Sequence, residues 1–283
     1  MVSKLLEITL SSNVDHYAVL GNPISHSLSP QIHQQFAEQT DQNLRYQALE
    51  APLEQFQEMV EQFRLAGGKG LNITVPFKQQ AWKLTEQRSE FAERAGSVNT
   101  LSFDQNNRII GDNTDGCGMV RDILVNLQQT IKGKRILLLG AGGAVRGVVD
   151  PLFKEQPASC VIANRTISRA EQLVEVFSDL GDVSATEFSD LAGREFDLII
   201  NGTSASLQGE LPPLPKNILA EAGVCYDMMY SKAPTKFVEW GREQEAVLAV
   251  DGLGMLIEQA AESFHIWRDV RPLTDSVIKS FRS

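Results

Sequence analysis

A short apolar run that leads into a glycine-rich turn constrains the fold of this chain more than any other feature. Residues 135–139 read RILLL, and residues 140–144 read GAGGA at the start of an amphipathic stretch. Glycine at such a turn lets the backbone approach a pyrophosphate at the N-terminus of a helix. The sixth position of the G-x-G-x-x-G/A pattern holds Val145, so the match is imperfect. The segment still predicts a strand, a turn and a helix that bind a dinucleotide through Gly140, Ala141, Gly142, Gly143 and Ala144.

Strands and helices alternate after this unit. The predicted elements are strands at 136–139, 160–163, 198–200, 224–226 and 248–250, and helices at 143–155 and 168–180. Such alternation is typical of a parallel, doubly wound sheet. We therefore predict an α/β protein with a Rossmann-type domain over residues 117–252.

The N-terminal part of the chain predicts a second domain of mixed pattern. Its predicted strands are 17–20, 44–49 and 70–75, followed by strands 97–103 and 108–112 that pair about a turn at 106–107. Only helices are predicted after residue 253, and we expect them to return to the first domain. The first domain is thus predicted to span residues 1–116 and to be completed by 253–283.

Two helix starts are predicted in this first domain. Ser29 is the expected N-cap of one helix, with Pro30 in its first turn. Pro52 is expected to open another, which ends before the glycines at 67–68. The apolar face predicted for this second helix consists of Leu53, Phe56, Val60 and Phe63.

Charge and cysteine usage exclude several classes of protein. The chain has 26 Lys and Arg residues against 36 Asp and Glu residues, a net charge of −10, which disfavours nucleic acid and anionic membranes as partners. Lys4 and Glu7 interrupt any apolar leader, and no run of about 18 apolar residues occurs. The 3 cysteines form no Cys-x-x-Cys pair and the 4 histidines show no ligand spacing, so no metal is expected. These features favour a cytoplasmic protein.

The end of the second predicted strand indicates which dinucleotide is bound. Asn164 is followed there by Arg165 and Thr166, and Arg169 comes one helical turn later. NAD-binding domains place an acidic residue here, which accepts hydrogen bonds from the ribose hydroxyls. Two guanidinium groups and a hydroxyl suit a 2′-phosphate instead. We therefore predict NADP as the cofactor; the alternative is a solvated basic helix start.

Polar residues also follow the strands of the first domain. Ser27 and Ser29 are two residues apart in an extended loop and can donate to one carboxylate, although serines before a helix are usually caps. Asn72 and Thr74 share a face of one predicted strand, and the turn after it presents Lys78. A lysine at such a turn is more often solvated than catalytic. Asn99 and Asp115 add polar groups at further strand ends.

Taken together, these motifs resemble one family strongly, the shikimate dehydrogenases, which reduce 3-dehydroshikimate with NADPH. The resemblance extends over nearly the whole chain and preserves the order of the motifs. It rests on residues 21–30, 72–78, 97–100, 111–116, 140–144, 164–166, 201–204, 226–230 and 251–261.

The resemblance implies roles for individual residues. Ser27 and Ser29 are similar to the family's carboxylate donors. Thr74, Asn99 and Asp115 are similar to its hydroxyl partners, and Lys78 to a catalytic group paired with Asp115. Gln259 matches a further hydroxyl contact, and Tyr230 lies where the family closes the substrate site. The cofactor contacts implied beyond those already named are Thr203, Met228 and Gly252.

The family's plan also implies an overall organisation. A substrate-binding domain formed by both chain ends would flank the NADP-binding domain, with a small molecule as the only partner and a monomer or homodimer as the assembly. One departure is Gly202, where the family pattern leads us to expect alanine.

Three alternatives share parts of this pattern. An NAD-dependent quinate/shikimate dehydrogenase is disfavoured by Arg165, and a methylene-tetrahydrofolate dehydrogenase is disfavoured by the loop with Ser27 and Ser29. A sensor that binds without turnover is disfavoured because Lys78 and Asp115 are both present.

Overall fold

The computed structural model describes residues 10–11, 13–203, 205 and 209–282. Its chain forms two compact units. One extends to Thr114 and takes in the chain from Ala260 onward, and the other runs from Asp115 to Gln259.

A mixed six-stranded sheet forms the centre of the first unit. Its strands, in the order β2-β1-β3-β5-β6-β4, are β1 (Asp15–Gly21), β2 (Leu44–Glu50), β3 (Gly70–Ile73), β4 (Gln87–Arg88), β5 (Thr100–Phe103) and β6 (Ile109–Asp112). β1 is parallel to β2 and β3, whereas β5 is antiparallel to β3 and β6. The carboxyl ends of β1, β3 and β6 and the amino end of β5 therefore lie along one edge, here called the carboxyl edge.

Four helices connect these strands: α1 (Ser29–Gln39), α2 (Phe56–Leu65), α3 (Lys78–Leu84) and α4 (Glu90–Ala95). The prediction that Ser29 caps α1 is wrong. Leu28 is the N-cap and provides no side-chain hydrogen bond, while Ser29 is the first helical residue, next to Pro30.

The predicted start of α2 at Pro52 is also wrong. The Gln55 amide donates to the Pro52 carbonyl at 3.0 Å, which closes a turn, and the helix begins only at Phe56. Leu53 is 54% exposed because it lies in this turn, outside the helical face that packs on the sheet. Met59 takes its place among the buried residues of α2.

β3 is shorter than predicted. It ends at Ile73, and the Phe77 amide donates to the Thr74 carbonyl in the turn that follows. Val75 is 68% exposed, since Pro76 has no amide hydrogen with which to extend the ladder. The predicted hairpin is confirmed, with β5 and β6 paired antiparallel on either side of Asn107.

An all-parallel sheet forms the second unit. Its strands, in the order β12-β11-β10-β7-β8-β9, are β7 (Arg135–Leu139), β8 (Ser159–Ala163), β9 (Val183–Thr186), β10 (Phe196–Asn201), β11 (Leu219–Asp227) and β12 (Leu248–Val250). In chain order this is 3-2-1-4-5-6 read from β9, the order of a Rossmann fold. The predicted α/β fold class is confirmed.

The helices of the second unit flank this sheet. They are α5 (Asp115–Arg121), which continues as a π-helical turn over Asp122–Asn126, then α6 (Gly143–Lys154), α7 (Ile167–Phe177) and α8 (Lys236–Glu243). Two apolar cores result, because the parallel strands bury side chains on both faces. The chain ends with α9 (Leu253–Arg268), which begins in the second unit, and α10 (Asp275–Arg282). Within the described part of the chain, no helix combines the length and hydropathy needed to cross a membrane.

A histidine is buried in the first unit between α1 and β2. The ring of His33 stacks on Tyr46 with centroids 4.0 Å apart and planes 4° apart, and it also contacts Phe264 and Trp267. Burial lowers the pKa of His33 to about 3. The imidazole is therefore neutral in the folded protein at ordinary pH.

We expect His33 to make the protein less stable in acid. Between about pH 6.5 and pH 3, the unfolded chain binds a proton at this residue that the folded chain does not bind. The free energy of unfolding should therefore fall by about 1.4 kcal/mol from this residue for each pH unit in that window. Urea denaturation of wild type and His33→Phe at several pH values measures this slope. Equal slopes for the two proteins would contradict the expectation.

Candidate functional site

The glycine turn of the second unit lies where the strand order of its sheet reverses. Gly140 follows β7 with φ of 102°, a conformation that favours glycine, and its amide donates to the Ala163 carbonyl at 2.8 Å. Gly202 follows the neighbouring strand β10, and its amide donates to the Leu139 carbonyl at 2.9 Å. Ligands of open α/β sheets bind at this reversal point.

The N-terminus of α6 is open at this point. Gly142 is the N-cap and makes no side-chain capping bond, and the helix begins with Gly143. Both glycines are exposed, and a Cβ atom added to either would meet no atom within 4 Å. Ala141 and Ala144 pack against the core on either side. The start of this 12-residue helix therefore carries no capping side chain and no side-chain bulk at its two glycines, which suits a phosphate at the helix N-terminus.

The two predicted guanidinium groups lie after the adjacent strand. Asn164 directly follows β8, and its side-chain amide donates to the Thr166 carbonyl at 2.8 Å, which shapes the turn into α7. Arg165 and Arg169 are both exposed, and the Arg169 amide donates to the Thr166 carbonyl. The turn therefore presents two cations and the Thr166 hydroxyl, a set that matches a phosphate rather than a free ribose hydroxyl.

A buried Asn–Asp pair closes the same end of β10 and β11. The Asn201 side-chain amide donates to Asp227 at 2.9 Å, and both residues are 0% exposed. Asp227 also accepts from the Thr235 hydroxyl at 2.6 Å and from the Met229 amide at 3.1 Å. Sequence reasoning missed Asp227. The available signal was an acidic residue directly after the apolar strand 224–226.

Three expected cofactor residues lie on loops that this pair holds. Asn201 accepts from the Thr203 amide at 3.1 Å and from the Thr203 hydroxyl at 2.7 Å. The Met228 amide donates to the Asn201 carbonyl at 2.9 Å. A Cβ atom on Gly252 would lie 2.4 Å from the Met228 carbonyl oxygen, so only glycine fits there. Thr203, Met228 and Gly252 therefore follow three neighbouring strands at one edge of the sheet.

Gly202 and Val145, the two departures from the expected patterns, are in contact. A Cβ atom on Gly202 would lie 2.3 Å from the Val145 Cγ2 atom. Val145 is 0% exposed, and a β-branched side chain in a helix has essentially one χ1 rotamer. The valine thus occupies the space that an alanine methyl group at position 202 would need. Val145 thus explains why residue 202 is glycine, and Gly202 leaves the space that the valine side chain fills.

Most of the expected substrate residues of the first unit lie along its carboxyl edge. The Asn22 amide donates to the Val75 carbonyl at 3.1 Å, which joins the loop after β1 to the turn after β3. Asn99 lies between β3 and β6, because its carbonyl accepts from the Ile73 amide at 2.7 Å and its amide donates to the Asp112 carbonyl at 3.0 Å. The structure thus brings three separate chain segments together.

The two serines lie in the first of these segments. The Ser29 amide donates to the Ser27 hydroxyl oxygen at 3.3 Å, so the hydrogen of Ser27 remains a donor. Ser27 is half-buried and Ser29 is 7% exposed.

Thr74 and Lys78 belong to the second segment, and both are half-buried. Lys78 is the first residue of α3, and its carbonyl accepts from the Val98 amide at 2.9 Å. The predicted turn therefore leads into a helix start. The backbone of Lys78 is bound to the residue just before Asn99.

The remaining expected residues belong to the second unit. Asp115 is the first residue of α5 and is 8% exposed. The Gln259 side chain donates to the Leu256 carbonyl at 2.8 Å, and its backbone lies against Gly118 of α5. Tyr230 is half-buried, and burial raises its pKa. Among residues 13–203 and 209–282, no group of three His, Cys, Asp or Glu side chains is arranged to hold a metal ion.

Three family models match separate parts of the chain. Residues 19–101 match the shikimate dehydrogenase substrate binding domain, and residues 123–208 match shikimate/quinate 5-dehydrogenase. Residues 252–280 match the shikimate 5′-dehydrogenase C-terminal domain.

Individual proteins match over nearly the full length. A shikimate dehydrogenase (NADP⁺) from Alkalilimnicola ehrlichii is 58% identical over 95% of this chain and 98% of its own. The crystal structure of an Ael1 enzyme from Pseudomonas putida is 46% identical, with a TM-score of 0.89 over 94% of this chain and 97% of that one. Shikimate 5-dehydrogenase from Thermus thermophilus, solved in complex with NADP(H) and shikimate, is 31% identical, with a TM-score of 0.85 over 95% and 99%.

The contact between positions 145 and 202 predicts a coupled pair of substitutions. Gly202→Ala should lower the free energy of unfolding by about 1–3 kcal/mol, because the added methyl group overlaps Val145. In a Val145→Ala background the same change should cost much less, because the next atom, the Met228 sulfur, lies 3.2 Å from the added methyl group. Urea denaturation of the four proteins gives the coupling energy, expected to exceed about 0.5 kcal/mol.

Gly143→Ala is the matched control, since nothing lies within 4 Å of its added methyl group. It should leave stability nearly unchanged. Additive effects of the changes at 145 and 202 would refute the steric explanation.

Proposed function

The chain belongs to the shikimate dehydrogenase family, and on that premise we propose which of its residues bind the two ligands and carry out the reaction. It is an NADP-dependent oxidoreductase that reversibly reduces 3-dehydroshikimate to shikimate, in the biosynthesis of chorismate and the aromatic amino acids. The observation that carries this conclusion is 58% identity to a shikimate dehydrogenase (NADP⁺) over 95% of the chain.

The residues of the second unit fit NADP. The bare N-terminus of α6 suits the pyrophosphate, and the exposed Arg165 and Arg169 suit the 2′-phosphate. When bound, the reduced cofactor supplies the hydride. The residues we propose to hold it are Gly140, Ala141, Gly142, Gly143, Ala144, Asn164, Arg165, Thr166, Arg169, Thr203, Met228 and Gly252.

The proposed substrate contacts follow from the chemistry of shikimate, a ring with one carboxylate and several hydroxyl groups. Ser27 and Ser29 are the proposed carboxylate donors. Thr74 and Asn99 are the proposed partners of ring hydroxyls, with Gln259 as a further hydroxyl contact and Tyr230 at the closure of the site.

Lys78 and Asp115 are the proposed catalytic residues. Reduction of a ring ketone places negative charge on its oxygen, and an ammonium group can neutralise that charge and deliver a proton. We assign this step to Lys78. Asp115 is assigned the hydrogen bond from the reacting hydroxyl and is the base that favours the charged form of the lysine.

The domain roles, location and assembly are also proposals. Residues 1–116 with 253–283 would bind the substrate and 117–252 would bind NADP, a division that the two compact units support in outline. A cytoplasmic monomer or homodimer that binds small molecules and no nucleic acid fits the acidic composition and the biosynthetic role. Incubation with 3-dehydroshikimate and NADPH tests the function directly, because NADPH absorbance should fall. Constant absorbance would refute it.

Replacement of Arg165 tests the cofactor assignment. Arg165→Ala removes charge-assisted hydrogen bonds worth about 1.5–3 kcal/mol, so the preference for NADPH over NADH should fall about tenfold or more. The ratio of kcat/KM for NADPH to kcat/KM for NADH gives this preference. Arg242→Ala removes another exposed arginine of the same unit and should leave the preference unchanged. Equal use of NADH and NADPH by the wild type would overturn the assignment.

Replacement of Lys78 separates chemistry from binding. Lys78→Met keeps the length of the side chain and removes its proton and charge, so kcat should fall about 10²–10⁴-fold while KM changes little. Lys83→Met is the control, because Lys83 is an exposed lysine of the same helix. If Lys78→Met instead raises KM and keeps kcat, Lys78 is a binding residue and Asp115 becomes the leading candidate for proton transfer.

A further inference from the structure

A group of buried polar side chains lies next to the proposed substrate contacts of the first unit and has no part in the reaction described above. It consists of Tyr46, Asn72, Thr100, Thr114 and Ser263 and is here called the polar cluster. Asn72 is 6% exposed, and the two threonines and the serine are at most 1% exposed. Buried polar groups of this kind lower stability unless they are fully hydrogen-bonded, so their pattern of bonds is informative.

Asn72 is the centre of the polar cluster. Its amide nitrogen lies 3.0 Å from the Ser263 hydroxyl, 3.1 Å from the Thr100 hydroxyl and 3.2 Å from the Asn99 carbonyl. Its side-chain oxygen accepts from the Tyr46 hydroxyl at 2.7 Å. One planar amide thereby links β2, β3, β5 and α9.

The cluster fixes the orientation of the Asn99 side chain. The Asn99 side-chain oxygen accepts from the Thr100 hydroxyl at 2.9 Å and from the Thr114 amide at 2.9 Å. These two bonds occupy both lone pairs of that oxygen. If the Asn99 amide were turned by 180°, its N–H groups would face the Thr100 hydroxyl and the Thr114 amide, which are donors as well. The Asn99 amide nitrogen donates to the Thr114 hydroxyl at 2.9 Å, so the nitrogen side of the amide is held as well. The nitrogen side, and not the oxygen, is therefore the side of Asn99 that can approach a ligand.

The other side of the cluster is Tyr46 of β2, whose hydroxyl donates to Asn72 at 2.7 Å. The ring of Tyr46 is held by its stack on His33. A continuous chain of hydrogen bonds thus runs from Tyr46 through Asn72 and Thr100 to Asn99.

We propose that Asn72 and Thr100 are positioning residues that hold the Asn99 side chain in one orientation, with the nitrogen side of its amide and not the oxygen toward the substrate. The inference rests on the proposed function, because it takes Asn99 as a substrate contact. It assigns the recognition of one ring hydroxyl in part to residues that do not touch the substrate.

Thr100→Val tests the proposal, since valine keeps the volume and removes the donor to Asn99. The KM for shikimate should rise about tenfold, because the Asn99 amide is then free to turn and loses about one hydrogen bond to the substrate. The kcat and the KM for NADP should change little. Thr85→Val is the matched control. Thr85 is 6% exposed and its hydroxyl donates to the Trp82 carbonyl at 2.7 Å, in the same unit but outside the cluster.

A second measurement separates positioning from loss of stability. Shikimate analogues that each lack one ring hydroxyl are compared with shikimate in wild type, Thr100→Val and Thr85→Val. In wild type and Thr85→Val, one analogue should bind about tenfold more weakly than shikimate. In Thr100→Val the ratio of the two affinities should approach one. Ser263→Ala, which removes another hydroxyl of the cluster, should give a smaller change in the same direction.

The outcomes distinguish the two levels of inference. A wild type that turns over shikimate with NADP, combined with unchanged KM and unchanged analogue ratios in Thr100→Val, overturns the positioning role alone. Equal rises of KM in Thr100→Val and Thr85→Val also overturn it, because both then report only a weakened fold. Absence of turnover in the wild type would refute the proposed function itself.

Discussion

A buried asparagine that closes the carboxyl end of each sheet is the constraint on which the proposed ligand contacts depend. Backbone hydrogen bonds hold the strands together, but they stop where the strands end, and the ligand contacts lie in the loops beyond. Asn201, the last residue of β10, fixes the loop after that strand through its hydrogen bonds to Asp227 and Thr203. Asn72, the residue before the last of β3, bonds to Thr100 at the start of β5 and to Ser263 of α9. Since a buried amide must satisfy both its donors and its acceptor, each asparagine allows one arrangement of its neighbours.

The sequence predicted most of the second unit because its signals are local. The glycine turn, the apolar strands and the helices between them are each visible within a few residues, and the order of the sheet follows from their alternation. β9 was missed because its residues are partly exposed and carry no apolar run. Arg165 stays a prediction as a cofactor contact: its position directly after β8 is visible in the sequence, and the structure leaves it exposed there.

The first unit was harder to predict because its important contacts are distant in sequence. Asn72 was expected to share a face with Thr74, but its bond to Ser263 joins residues 191 positions apart. No local pattern predicts that contact. The supposed cap at Ser29 failed because the helix begins one residue earlier than expected, with Leu28 as the N-cap and Ser29 as the first helical residue. Val145 and Gly202 also looked like two unrelated departures until their contact became visible.

The two proposed ligand sites therefore differ in how far a substitution at the site disturbs the folded structure. The cofactor side presents exposed groups, Arg165, Arg169 and the glycines at the start of α6, whose replacement disturbs few buried contacts. The substrate side presents Ser29 and Asn99, which are 7% and 2% exposed, and the Asn99 side chain is hydrogen-bonded to the buried Thr100 and Thr114. A substitution at Arg165 acts mainly on binding, because surface changes away from packed features alter stability by about 0.5 kcal/mol or less. A substitution near Asn99 acts on binding and folding together, since it leaves a buried partner unsatisfied. The preference for one dinucleotide can thus be altered independently of the fold, whereas the geometry that selects the ring acid is tied to the packing of the first unit.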